Sequence, residues 1–537
     1  MREKIVLLAL LLAALVFGVS FAKGFYLTNT EAVPNRGGNY TEGLLGQPNL
    51  INPLFSSINS IDRDLENLLF SRLFRYDENR QLVPDLVGSY EIADDKKSYT
   101  IKIKRGVFWH DHNNEELKAD DIIFTVHRLL DPQTKSPLFI SLNGVTIEKI
   151  DDYSFKLNLK EPYAPFLSNL TFGILPAHIW ETYQPTGMIL AKENLLPIGS
   201  GLFQMDKLTK DKKGNILSFV LKRNERYYGP KPYLDKITFK FFNDSSELKK
   251  SFLNHQLQGI NNLDLNQVEE IKNLPNTNLM LAETSQSLAL FLNPRNQTGL
   301  ENKKYRQAIE YAIDKARIAA EARKGYAKVI NLPIFFGMEP PADIEIRTYQ
   351  PEKAKEIIKS IGTDKLSIGI TVTNWPESLK AAEIIKENLI NIGLTVDLQI
   401  METTNNDRLL YEIVKPREFE SLFFGETLGY DPDPYLFWHS SQIPYPGLNI
   451  SFFENRQADS LLEEARKESD WSRRQELYRK FQKILYDEAN AIFIYSPQFI
   501  YAVNKNVRGI NLAQTVFYSD RLAGIASWYL QTKRIWK

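Results

Sequence analysis

Leu366-Ser367-Ile368-Gly369-Ile370-Thr371-Val372, then Glu377 to Ile392, then Gly393 and Leu394-Thr395-Val396-Asp397-Leu398-Gln399-Ile400, is the stretch from which the fold is read. Its first and last segments are short and β-branched, as strands are. Its middle segment is long enough for a helix and is closed by a glycine. Strand, helix and strand of these lengths predict a βαβ unit and a largely parallel sheet. Glu418 to Gly425 is the next apolar strand, and it runs into Gly429-Tyr430-Asp431-Pro432-Asp433-Pro434-Tyr435-Leu436-Phe437-Trp438-His439-Ser440-Ser441-Gln442. Ligands of open α/β sheets bind beyond the carboxyl ends of strands, so this loop is predicted to wall a pocket. Asp431 and Asp433 each precede a proline and are biased toward extended backbone. Asp433 is expected to cap a short helix that opens at Pro434. Tyr430 and Trp438 are candidate stacking walls.

Composition narrows the class. The 537 residues exceed what one hydrophobic core serves, so two or more lobes are expected. Basic and acidic residues balance at 66 each, which argues against a nucleic-acid partner. There is no cysteine, hence no disulfide, thiol nucleophile or lipid-modified cysteine. No G-x-S-x-G, H-E-x-x-H or G-x-x-x-x-G-K-[ST] motif occurs, and no enzyme activity is expected. Asp431-x-Asp433 with His439 is read as turn and cap chemistry, so no metal and no cofactor is expected.

Met1-Arg2-Glu3-Lys4 precedes an apolar run from Ile5 to Ala22. Basic residues followed by an unbroken apolar stretch read as a signal peptide or an N-terminal membrane anchor, 1–22. Ser20-Phe21-Ala22 is a candidate cleavage site. Residues 23–38 read as a polar tether. Either way the body of the protein is expected outside the cytoplasm.

Along the rest of the chain, Asn39 to Leu45 reads as a strand and Asp62 onward as a helix with Leu65, Leu68, Leu69 and Leu73 on one side. Tyr99 to Lys104 and Asp151 to Leu159 alternate as strands do. Pro351 to Ile361 is a helix closed by Gly362. Gln457 to Lys467 and Trp471 to Tyr486 are amphipathic helices. Ile492 to Tyr495 and Phe499 to Val503 read as two final strands.

These segments carry a family resemblance. Leu82-Val83-Pro84-Asp85-Leu86, Arg105-Gly106-Val107-Phe108-Trp109-His110-Asp111, Leu117-Lys118-Ala119-Asp120-Asp121-Ile122, Pro197-Ile198-Gly199-Ser200-Gly201 and Arg306-Gln307-Ala308 with Tyr311-Ala312-Ile313-Asp314-Lys315 occur in this order. Together they resemble the extracytoplasmic solute-binding proteins of peptide- and nickel-type ABC importers, over roughly residues 39 to 530. The resemblance implies an α/β, two-lobed periplasmic-binding-protein fold (type II-like, cluster C) with an extra β-rich subdomain in lobe I. The expected division is 39–75, 196–283 and 501–537 for lobe I, 76–195 for its inserted subdomain, and 284–500 for lobe II.

The resemblance further implies a monomeric receptor. It would capture a peptide or similar small solute and deliver it to ABC permease subunits. A sensory or chaperone-like receptor, or an extracytoplasmic hydrolase, are the alternatives. The candidate ligand-binding residues are Asn52, Asn293, Arg408, Glu426, Tyr430, Asp431, Trp438, His439, Gln442 and Asn449. One departure stands out. The family's peptide binders hold the ligand's α-amino group with an aspartate three residues before the Asp-Pro, and Tyr430 occupies that position. Either Glu426 or Asp431 substitutes, or the solute is longer, sugar-like or uncharged.

Overall fold

The structure, a computed structural model, describes residues 2–111, 113–261, 263–296, 299–362, 367–402, 415–512 and 514–537. Among them a thirteen-stranded mixed sheet runs through both lobes. The second lobe is built on the predicted βαβ unit. Strand Ser367–Thr373 pairs in parallel with Thr395–Met401 and with Ser421–Thr427, and helix Pro376–Asn391 crosses between the first two. Gln286–Leu292 then joins antiparallel to Ser421–Thr427. One face of this sheet packs under helices Lys303–Ala312 and Pro376–Asn391, through Ile309, Ile370 and Ile385. The other face packs under Arg456–Lys467 and Trp471–Glu488, through Leu422, Leu462 and Phe481. Both faces are therefore apolar, as buried parallel strands require.

Pro351–Ile361 ends at Gly362 with φ 75°, a left-handed turn that favours glycine. The loop Pro197–Gly201 needs glycine for a different reason. A Cβ at Gly199 would collide with the Leu69 carbonyl, so the loop lies against the end of helix Ser60–Leu69 only without one. His110 fastens the same loop. Its backbone N–H donates to the Gly199 carbonyl at 2.8 Å, its ring Nδ1 accepts from Gly199 N–H at 3.3 Å, and burial lowers its pKa to about 4.

The first lobe carries strands Asn39–Leu45, Lys236–Phe242, Ile216–Arg223 and Phe203–Lys210. A separate four-stranded antiparallel sheet, from Val87–Ile92 to Ser154–Asn158, lies beside it. One continuous apolar cluster holds both, from Tyr40 through Ile101 and Phe155 to Trp528, so the two sheets share a core.

Two elements differ from the sequence reading. The final two strands are one, Ala491–Asn504. Its first part pairs with Gln286–Leu292 and its last part with Thr277–Thr284, so this strand and the Thr277–Leu292 path cross from lobe to lobe together. Pro497 marks the exchange of partners, where a missing N–H interrupts the ladder least. Thr284 Oγ donates to the Pro497 carbonyl at 2.7 Å, and Ser496 Oγ donates back to the Thr284 carbonyl at 3.0 Å. The stretch after residue 22 is also no open tether. Helix Arg2–Asn29 continues through it, and Thr30–Asn35 is a strand paired with Gln531–Trp536. Sequence polarity suggested a tether because the partner strand lies some five hundred residues away.

Candidate functional site

Two cavities lie where the lobes meet. The larger, about 630 Å³, is walled by the first lobe and closed by Gly429, Tyr430 and Asp431 of the second. Helix Ser60–Leu69 faces it with Arg63, Glu66 and Asn67, which share one side at i, i+3 and i+4 spacing. Tyr76, Ser168 and Asp520 complete the wall from three other parts of the chain. The smaller, about 360 Å³, lies at the carboxyl end of strand Ser367–Thr373. Thr373, Trp375 and Glu377 line it together with Gly425, Pro497 and Phe499. Both volumes suit small-solute sites. Strand Ser421–Thr427 borders the smaller cavity and the loop after it borders the larger, so one path of lobe II serves both.

The larger cavity carries both signs of charge. Arg72 pairs with Glu66 at 2.9 Å. Arg63 donates to the Ser57 carbonyl at 2.8 Å and lies 4.1 Å above the Phe517 ring. Burial pulls the Arg63 pKa down, and Asp520 opposes that pull. Across the cavity, Asp431 is 2.9 Å from Arg474. Burial raises its carboxyl and Arg474 holds it back.

The nominated residues fall into three groups. Tyr430 and Asp431 are on the cavity wall. Tyr430 packs at a tilt against Tyr76 of the first lobe, with ring centroids 4.0 Å apart, and meets Phe336 edge-on at 5.0 Å. Its hydroxyl pKa is raised, first by burial and then by Asp520.

Asn52, Asn293 and Asn449 are fully buried, and their amides are spent on the fold. Asn52 bonds Asn194 and the Leu54 N–H, Asn293 bonds the Arg417 and Phe419 carbonyls, and Asn449 clasps Phe453 from both sides. Trp438 is 1% exposed and packs among Phe291, Phe453 and Phe493, lining neither cavity. Its short helix, Tyr435–Trp438, turns the indole into the lobe II core, away from the pocket wall expected of it. His439 is buried beside Tyr435, Ser441 and Glu463, and Gln442 bonds Ser441 at the surface. Neither lines a cavity.

Glu426 is buried, and neither carboxyl oxygen has a hydrogen-bond partner among the described residues. Burial pushes its pKa up to about 8, against the lowering effect of the nearby Trp438 indole. It lines neither cavity. Arg408 lies outside the described residues.

Asp433 does more than cap. Its Oδ1 accepts from the Tyr435 N–H at 3.2 Å. Its Oδ2 accepts from Arg466 Nε at 3.0 Å and from the Tyr163 hydroxyl of the first lobe, also at 3.0 Å. With the Tyr76–Tyr430 contact, this closes the lobes onto each other at two points. Sequence reasoning missed Tyr163, Arg63 and Asp520. Only the helical offset of Arg63, Glu66 and Asn67 away from the leucine face hinted at a second, polar face.

Comparison with known proteins agrees with this architecture. The family model for bacterial extracellular solute-binding proteins, family 5 middle, matches residues 81–445. The oligopeptide-binding protein AppA of Bacillus subtilis is 28% identical, covering 98% of this chain and 99% of its own. Its structure with a nonapeptide superposes with a TM-score of 0.74 at 26% identity, covering 93% of this chain and all of that one. NikZ of Campylobacter jejuni, in complex with Ni(L-His), superposes with a TM-score of 0.76 at 25% identity, over 91% of this chain and 99% of its own. Matched over more than half its length and two-lobed throughout, the chain belongs to the bacterial extracellular solute-binding proteins of family 5.

Proposed function

We propose that this protein is the receptor of an ABC importer and that its solute is a peptide, which it binds without turnover and passes to a membrane permease. The observation that carries this reading is the larger cavity, walled by Arg63 and Glu66 from one lobe and by Tyr430 and Asp431 from the other. A solute there touches both lobes, and only a ligand with higher affinity for the closed state drives closure. The cavity lining presents Arg63 together with Glu66 and Asp431, a mix of charges that suits a zwitterion, and the relatives include an oligopeptide binder and a dipeptide binder.

Residues 39–75, 196–283 and the C-terminal part form lobe I, with 76–195 inserted and 284–500 as lobe II. The change of partners along Ala491–Asn504 supports a boundary near Pro497, a few residues before 501. The receptor acts as a monomer. Helix Arg2–Asn29 stays attached and anchors it on the outer face of the membrane.

Native mass spectrometry of ligand retained by the purified protein tests the central reading, with intact peptide as the expected result. Release of cleaved products from that peptide would overturn it. Tyr430→Ala removes the lobe-to-lobe ring contact and one cavity wall. Peptide affinity should fall about tenfold by calorimetry, roughly 1.4 kcal/mol, while the unfolding midpoint stays put. Unchanged affinity would move the site to the smaller cavity.

A further inference from the structure

The helix Arg2–Asn29 runs straight into strand Thr30–Asn35, and that strand is zipped over six residue pairs to Gln531–Trp536. The last carbonyls of a helix have no intrahelical partner. Here the C-terminal strand supplies them. Arg534 Nη2 donates to the Leu27 carbonyl at 2.9 Å and to the Thr30 carbonyl at 2.7 Å. The Lys537 backbone N–H donates to the Asn29 carbonyl at 3.0 Å. A cation at a helix C-terminus also meets the favourable end of the dipole. Trp536 packs edge-on against Tyr26 at 5.9 Å and tilted against Phe25 at 6.5 Å, yet is 63% exposed.

The helix itself suits one environment. Leu10–Asn29 has a mean hydropathy of 1.9 and none of it is buried. At a rise of about 1.5 Å per residue such a span reaches roughly 30 Å, the thickness of a bilayer's hydrocarbon core. Tryptophan and tyrosine collect at the membrane–water boundary, and lysine and arginine there attract anionic headgroups. Phe25, Tyr26 and Trp536 sit at the outer end of this span, beside Arg534.

We propose that the C-terminal strand is a socket for the anchor helix, and that Trp536, Tyr26 and Phe25 form a collar resting in the headgroup layer of a lipid bilayer. The receptor then stands in a fixed orientation instead of swinging on a tether. This rests on the reading that the helix is retained.

The test uses full-length protein purified from membranes. Its intact mass comes first: a soluble chain lacking residues 1–22 overturns the anchor and the collar together. Protein that keeps them is reconstituted into phosphatidylcholine–phosphatidylglycerol liposomes containing lipid brominated near the headgroup. The chain has seven tryptophans, so the signal is the difference between the parent protein and Trp536→Phe. Quenching in the parent that is missing in Trp536→Phe is the expected result. Equal quenching in both overturns the collar and leaves the anchor standing. Quenching that appears only as dimers form assigns the collar to a second copy and overturns the lipid reading. Arg534→Ala reads the socket separately: trypsin should cut liposome-bound protein at Arg36 about tenfold faster, because local opening becomes easier. An unchanged rate overturns the socket.

Discussion

Glu42 of the first lobe and Glu426 of the second are both buried, at 0% and 4% exposure, and both lie in central strands of the same sheet. Glu42 is surrounded by partners. Arg521 Nε donates to it at 2.8 Å, and the hydroxyls of Tyr40 and Tyr501 donate at 2.8 and 3.0 Å. Arg521 also forks onto Asp64 at 2.9 and 2.6 Å, joining strand, helix and C-terminal segment behind the cavity wall. Glu426 has no hydrogen-bond partner for either carboxyl oxygen among the described residues, and the Trp438 indole alone opposes its burial. Burial raises both carboxyl pKa values, but at Glu42 Arg521 works against the rise. The contrast shows that depth alone does not decide what a buried acid does. Partners turn one into a brace, and their absence leaves the other poised to change charge at the strand end that feeds Tyr430 and Asp431.

Removing the brace should have the largest effect. Arg521→Met leaves Glu42 and Asp64 buried without a cation and should destabilise the protein by roughly 3–5 kcal/mol in urea unfolding. A loss below about 1 kcal/mol would erase the distinction between the two acids.

Next comes Glu426→Gln. Its folded pKa is raised from 4.5 to about 8, so the folded state holds the proton more tightly than the unfolded state. Stability from this group is complete below about 4.5 and is lost as pH rises toward 8. Glu426→Gln should therefore match the parent at pH 4.5 and exceed it by roughly 2–4 kcal/mol at pH 8.5. A difference independent of pH would show that Glu426 has a partner after all.

The smallest change is Tyr40→Phe, which deletes one of the donors to Glu42. A loss of about 1 kcal/mol is expected, because Tyr501 and Arg521 remain. A loss as large as that of Arg521→Met would mean that the hydroxyls, and not the guanidinium, hold the acid.

The secondary structure was largely open to reading from periodicity and punctuation. Asn39–Leu45 and Pro351–Ile361 stand where alternation, glycine and proline put them. Pro497 misled, because a proline usually breaks a strand and here sits where the strand changes partners. In the candidate site, Tyr430 and Asp431 were legible because proline spacing and strand position place a loop at a sheet edge. Trp438 and Asn449 were not, because residue type says nothing of which way a side chain turns. Arg63 and Asp520 face one cavity from positions some 450 residues apart in the chain, a proximity no local pattern encodes.

By itself, then, the sequence determined the order of strands and helices, the two-lobed plan, the apolar N-terminal run and the loop that walls the larger cavity. Those follow from local backbone preference and side-chain period, which are properties of short stretches. Tertiary structure alone decided that Glu42 is paired and Glu426 is not, that Asp433 joins the lobes, and that the last strand grips the first helix. Each of these depends on the position of a partner far along the chain, and burial energies take their sign from that partner.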